Sequence, residues 1–156
     1  MKLFGILLFI SVNCYADAPS QTQVRALFKS AVTDEHSCRN MVKLLEGFKE
    51  NNNTLLGGYK ACATIMMAKY VFNPFSKLSY FLKGKSLLEK CISSDKNNIE
   101  LRLLRIIIQT KAPFFLGYRS SMDEDRSILM RSLGGIHDID LKKMITTFLT
   151  TEGYLN

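Results

Sequence analysis

Apolar residues recur every three or four positions along most of this chain, the spacing that lines one face of a helix. In 21–32 they are Val24, Leu27, Phe28, Ala31 and Val32. Thr33-Asp34 breaks the run. Segment 37–50 then repeats it, with Cys38, Met41, Val42, Leu44, Leu45 and Phe48 inward and Lys43, Glu46, Lys49 and Glu50 outward. Asn51-Asn52-Asn53-Thr54 reads as a polar loop and Gly57-Gly58 as a second interruption. Segment 59–72 is apolar nearly all round, broken by Lys60, Thr64 and Lys69. Such a helix belongs in the middle of a domain, with neighbours on several sides.

Asn73-Pro74 predicts a helix start, with Asn as the cap and Pro at the first position, where an N–H has no intrahelical partner to lose. That helix runs to about residue 93 with Leu78, Phe81, Leu82, Leu88, Cys91 and Ile92 inward. The short connection makes it antiparallel to its predecessor. Asn98 caps a further helix, with Glu100 near its positive end and Leu101, Leu103, Leu104, Ile106, Ile107 and Ile108 following. An apolar loop at 111–119 carries Pro113 and Gly117. Ser121 and Glu124 have the spacing of a capping box, opening a helix that stops at Gly134-Gly135. Asp138 or Asp140 starts the last helix, with Leu141, Met144, Ile145, Phe148 and Leu149 inward and Gly153 beyond its end. The expected fold class is all-α: antiparallel helical hairpins stacked in an array of about six or seven helices.

The N-terminus follows a different pattern. Lys2 is followed by a short apolar run at 3–12 and by small residues at Cys14 and Ala16. This is the form of a secretory signal cleaved before Asp17. The expected organisation is a signal peptide at 1–16 and a single all-α domain at 17–156, exported to the periplasm or beyond. A lipoprotein signal also ends on a Cys, which makes lipid anchoring through Cys14 the alternative; Asn13 stands where Gly, Ala or Ser would suit it. The apolar run is too short to cross a bilayer core of roughly 30 Å, and no later segment offers a span, so no transmembrane helix is expected in the mature chain.

Composition supports a folded chain: 47% of its 156 residues are hydrophobic and 22% charged. The net charge is +7, and loss of 1–16 removes only Lys2. This excess suits an anionic surface such as that of the cell envelope. Nucleic acid is a poor fit, because there is no arginine-rich run and no interleaving of basic and aromatic residues. Removal of the signal leaves Cys38, Cys62 and Cys91, an odd number on apolar faces. Buried thiols are expected, with a Cys62–Cys91 disulfide as the competing arrangement.

Gly84, Leu88 and Cys91 resemble the small, bulky and small positions in the second helix of a tetratricopeptide repeat, with Lys96 where that repeat has proline. The resemblance implies a tetratricopeptide-like hairpin. The Trp, Leu-Gly and Tyr of the first repeat helix have no counterpart, and no second copy follows. Residues 73–81, 98–105 and 112–118 resemble segments of uncharacterised secreted helical proteins of Bacteroidota. That resemblance implies a fold and a compartment and brings no activity.

The one polar constellation is a stripe. Asn98, Arg102, Arg105 and Gln109 share a helix face, and two guanidiniums there could clamp a carboxylate or phosphate. Lys77 and Tyr118, from the other two resembling segments, are expected to converge on it. The competing role for the arginines is structural, bonding to carbonyls of the 111–118 loop and to Glu100 or Asp123. His36 and His137 have no metal spacing, and no cofactor, nucleotide or nucleophile-elbow motif occurs. The reading that follows is a secreted or periplasmic helical binding or scaffold module for a protein, peptide or anionic ligand. Its candidate site is Lys77, Arg102, Arg105, Gln109 and Tyr118, with no metal and no cofactor. The alternative is a small envelope hydrolase around Arg102, Arg105 and Tyr118.

Overall fold

A computed structural model describes residues 18–48 and 53–155. The expected signal segment with Cys14, and residues 49–52, lie outside the described residues. Among the described residues the chain forms seven α-helices and no strand: α1 Gln21–Ala31, α2 Glu35–Glu46, α3 Thr54–Met67, α4 Pro74–Ser94, α5 Ile99–Lys111, α6 Met122–Ser132 and α7 Ile139–Thr151. Short 3-10 turns at Phe114–Leu116 and Leu133–Gly135 follow α5 and α6. No helix of the described residues is long and apolar enough to cross a membrane.

Local chemistry explains most boundaries. A side-chain oxygen caps six of the seven N-termini: Ser20, Asp34, Asn53, Asn73, Asn98 and Asp138 each accept a backbone N–H from the first turn. Asn73 accepts two, from Phe75 at 2.8 Å and Ser76 at 3.2 Å, with Pro74 at the first position as expected. The exception is α6. Ser121 makes no side-chain cap because its backbone (φ −100, ψ 3) lacks the extended shape a cap requires, and Glu124 turns instead to Arg102. The expected capping box does not form. Gly117 adopts φ +60 to end the turn after α5, and Gly153 adopts φ +73 after α7.

The central helix begins five residues earlier than expected and ends at Met67 rather than Phe72. Gly57 and Gly58 are not an interruption; they lie buried inside α3, and a side chain at Gly58 would collide with Leu101 of α5. Eleven of the fourteen α3 residues are buried. α3 packs against α1, α2, α4 and α5, which accounts for an apolar pattern with no single face.

The helices form two rows. α1, α3, α5 and α7 touch in succession, while α2, α4 and α6 each lie against members of that row. The tightest approach is the α3–α4 hairpin, where Gly84 sits against the carbonyl of Ala61 and the side chain of Ile65. α4 has 21 residues and α3 has 14, and the excess lies at the N-terminal end of α4, which runs on past Met67. Leu78 lies on that stretch and is 44% exposed; Leu82 lies beyond it, nearer Gly84, and is 50% exposed, so neither is core as the spacing suggested. Phe81, Leu88, Cys91 and Ile92 are buried as expected. Cys38, Cys62 and Cys91 are buried thiols, and no bridge joins Cys62 to Cys91. Burial pushes the Cys38 and Cys62 thiols above their ordinary range.

Within the odd row lies a buried ionic cluster. Arg25 of α1 donates Nε and Nη2 to the two carboxylate oxygens of Glu100 on α5, at 2.7 and 2.6 Å. The Tyr59 hydroxyl of α3 donates to the same carboxylate at 2.5 Å. Arg25 Nη1 reaches Asp138, the cap of α7, at 3.1 Å. One carboxylate and one guanidinium thus tie together all four helices of the row. Glu100 lies in the first turn of α5, near its positive end as expected, and its charge also faces inward.

Two outcomes are expected. Gly84→Ala should gain about 1 kcal/mol of helix propensity. It also places a methyl carbon 2.6 Å from the Ala61 carbonyl oxygen, so the net change should be a loss of roughly 1–3 kcal/mol in chemical denaturation. An unchanged or raised midpoint would show the hairpin is not closed at that point. Tyr59 and Tyr118 both have hydroxyls pushed above the ordinary phenol range, first by burial and then by a neighbouring carboxylate. The folded state therefore keeps protons that the unfolded state releases, so stability should hold below about pH 10 and fall as pH rises beyond it. Tyr59→Phe should flatten that alkaline loss in a series of melting curves; an equal slope would contradict it.

Candidate functional site

The arginine stripe is occupied by protein carboxylates. Arg105 grips the fully buried Asp125 of α6 with Nε and Nη2, both at 2.7 Å, and gives Nη1 to Glu89 of α4 at 3.0 Å. Arg102 bonds Asp125 at 3.0 Å, Glu124 at 3.1 Å and the Lys96 carbonyl at 3.1 Å. The Tyr118 hydroxyl donates to Glu89 at 2.5 Å, and its ring stands edge-on to Phe81 under the Lys85 ammonium. Burial, the largest single influence, would lower the Arg105 guanidinium, but the hydrogen bonds and charges of Asp125 and Glu89 together outweigh it and hold the group above the usual range. The arrangement fastens α4 and α6 to α5.

The acceptors differ from those expected. The carbonyls of the 111–118 loop do not hold Arg102 or Arg105; it is Arg119 that bonds the Ala112 carbonyl, at 3.2 Å. Asn98 is a cap. Gln109 is fully buried, and its amide has no partner among the described residues. Tyr118 does join the arginines, through Glu89. Lys77 does not: it lies twelve residues before Glu89 on α4, about 18 Å along the helix axis.

Lys77 stands instead at an apolar groove of about 520 Å³, where the overhanging start of α4 leaves the end of α3 uncovered. Ile65 and Met66 of α3 and Ile108 of α5 form its inner wall, Leu78 and Phe81 of α4 one side, and Leu116 of the post-α5 turn the other. The exposure of Leu78 is the opening of this groove. Among the described residues its charged groups are Lys69, Lys77 and Lys111, and no acidic residue lines it. Lys69 bonds the Val32 carbonyl at 2.7 Å and Lys111 pairs with Glu152 at 3.0 Å. Lys77 alone of the three has an ammonium with no ion pair or hydrogen bond among the described residues. The volume lies within the range of small-molecule sites, which are apolar cavities with a few placed polar groups.

Sequence reasoning named Lys77 but missed its surroundings, along with Lys69, Lys111 and the three acids, Glu89, Glu124 and Asp125, that hold the arginines. Asp125 did leave a signal: Met122, Asp125 and Leu129 share helical spacing, so the carboxylate lies on the apolar stripe of its own helix. Compared with known proteins, the chain matches no family model, no curated protein and no solved structure.

Arg105→Ala would leave the buried Asp125 with Arg102 as its remaining cation. A loss of about 3 kcal/mol is expected in urea unfolding. Arg102→Ala keeps the two-pronged Arg105–Asp125 pair and should cost about 1 kcal/mol. Equal effects, or none, would contradict the structural assignment of this network.

Proposed function

We propose that this chain is an exported helical binding module, a tetratricopeptide-like array with no catalysis of its own, that takes the apolar part of an anionic ligand into the groove beside Lys77. The observation that carries the reading is the groove itself: apolar walls, a lysine without a protein partner at its edge, and no carboxylate in its lining. Closing such a surface over an alkyl or aromatic group removes apolar area from water, while the ammonium favours a ligand that is negative at one end. The position of Gly84 at the closest point of the hairpin supports the tetratricopeptide likeness, and the basic, apolar and small-residue pattern of 1–16 supports export. The resemblance to secreted helical proteins of Bacteroidota agrees with both. The hydrolase alternative would require Arg102, Arg105 and Tyr118 to leave Asp125 and Glu89 and turn to a substrate. Their burial and pairing favour the binding role.

Calorimetric titration with monomeric dodecanoate tests this. One site is expected. Lys77→Glu should weaken it about tenfold, a 1.4 kcal/mol change in binding free energy. Leu78→Trp fills the groove from an exposed position and should abolish binding with the fold intact by circular dichroism. No heat with the wild-type chain, or equal binding in Leu78→Trp, would reject the groove as the site.

A further inference from the structure

The mouth of the groove carries a second feature that its lining does not explain. Phe72, Phe75 and Phe114 are 101%, 82% and 82% exposed, and none of them lines the groove. They sit next to or near residues that do: Phe75 follows Pro74, Phe72 lies two residues before it, and Phe114 follows Pro113. The connection into α4, the first turn of α4 and the 3-10 turn after α5 thus bring three bare aromatic rings near the groove. Scattered single apolar residues on a surface are ordinary, but a cluster around a cavity marks a contact surface.

The segments that carry these rings are basic. No Asp or Glu occurs anywhere in 51–88, nor in 101–122. The cations at this end are Lys69, Lys77 and Lys111, with Arg119 lying over the Phe114 ring at 5.8 Å. Among the described residues Glu152 pairs with Lys111, and Asp34 and Glu35 lie near Tyr70 beside Lys69, while Lys77 faces no acid.

We infer that this end of the molecule docks on an anionic lipid bilayer, with Phe72, Phe75 and Phe114 seated at the headgroup–acyl boundary and the lysines against lipid phosphates. Shallow insertion of apolar side chains combined with attraction between basic residues and anionic lipid is the physics of interfacial binding. A second copy of the chain is a poorer occupant. Two-fold pairing sets a patch against itself and would place lysine opposite lysine. The inference rests on the proposed function only for its purpose, since a groove opening onto a bilayer takes its ligand from there; its own support is the three rings outside the groove.

Co-sedimentation with vesicles tests it, comparing phosphatidylcholine alone with phosphatidylcholine plus phosphatidylglycerol. The full chain after signal removal should bind the mixed vesicles, release as salt is raised, and bind neutral vesicles weakly. Replacing Phe72, Phe75 and Phe114 together with Ser touches only exposed positions; it should keep the melting temperature and lower vesicle partitioning by at least about tenfold. Leu78→Trp should still bind vesicles, because it blocks the groove and leaves the rings. Vesicle binding without dodecanoate binding would reject the groove and keep the docking surface; dodecanoate binding without vesicle binding would do the reverse. Equal partitioning of the triple variant, or a dimer held by these rings with no affinity for vesicles, would overturn the inference.

Discussion

The architecture depends on a charge that cannot be left alone. Arg25 and Glu100 are both buried, and each satisfies the other with two short hydrogen bonds. A buried pair of this kind adds little net stability over an apolar replacement, but losing one partner strands the other at a cost of several kcal/mol. Its effect is on arrangement: α1 and α5 must meet at one register, with Tyr59 and Asp138 bringing α3 and α7 to the same point. Stacked helical hairpins usually depend on nearest-neighbour contacts and fray from their ends. Here Arg25 and Asp138 are 113 residues apart in sequence and in direct contact, so the first and last helices of the row are coupled.

What could be read from the sequence was what is decided locally. The caps at Asn73, Asn98 and Asp138 act within three residues, and the structure places them where the side-chain chemistry indicated. The inward faces of α4 and α7 followed their spacing, except at Leu78 and Leu82. Periodicity tells which side of a helix is apolar but not how far its neighbour extends, and α3 stops short of Leu78. Gly58 was taken for a break because a glycine pair commonly ends a helix; its reason is the approach of Leu101, over forty residues later.

The candidate site was legible in the same limited sense. Arg102 and Arg105 do share a face with Asn98 and Gln109, because helix geometry alone requires it. Their partners come from other helices, and nothing within α5 announces Glu89 or Asp125. Arg25 and Asp125 lie on the apolar stripes of their own helices, which was the available sign that both charges turn inward. The outcome is a division of the molecule. Its buried carboxylates and guanidiniums join helices to one another, and the end with Lys77 is left apolar and basic.

The groove is made by a length difference. α4 exceeds α3 by seven residues, about 10 Å of helix with no partner alongside. The cavity is therefore a property of where two helices stop, and its walls are side chains that any comparable helices would supply. Deleting one turn from the start of α4 would shorten the cavity by about 5.4 Å with the hairpin contact at Gly84 unmoved. The size of this cavity is written in chain length, in insertions and deletions near residue 70, more than in the identity of any residue that lines it.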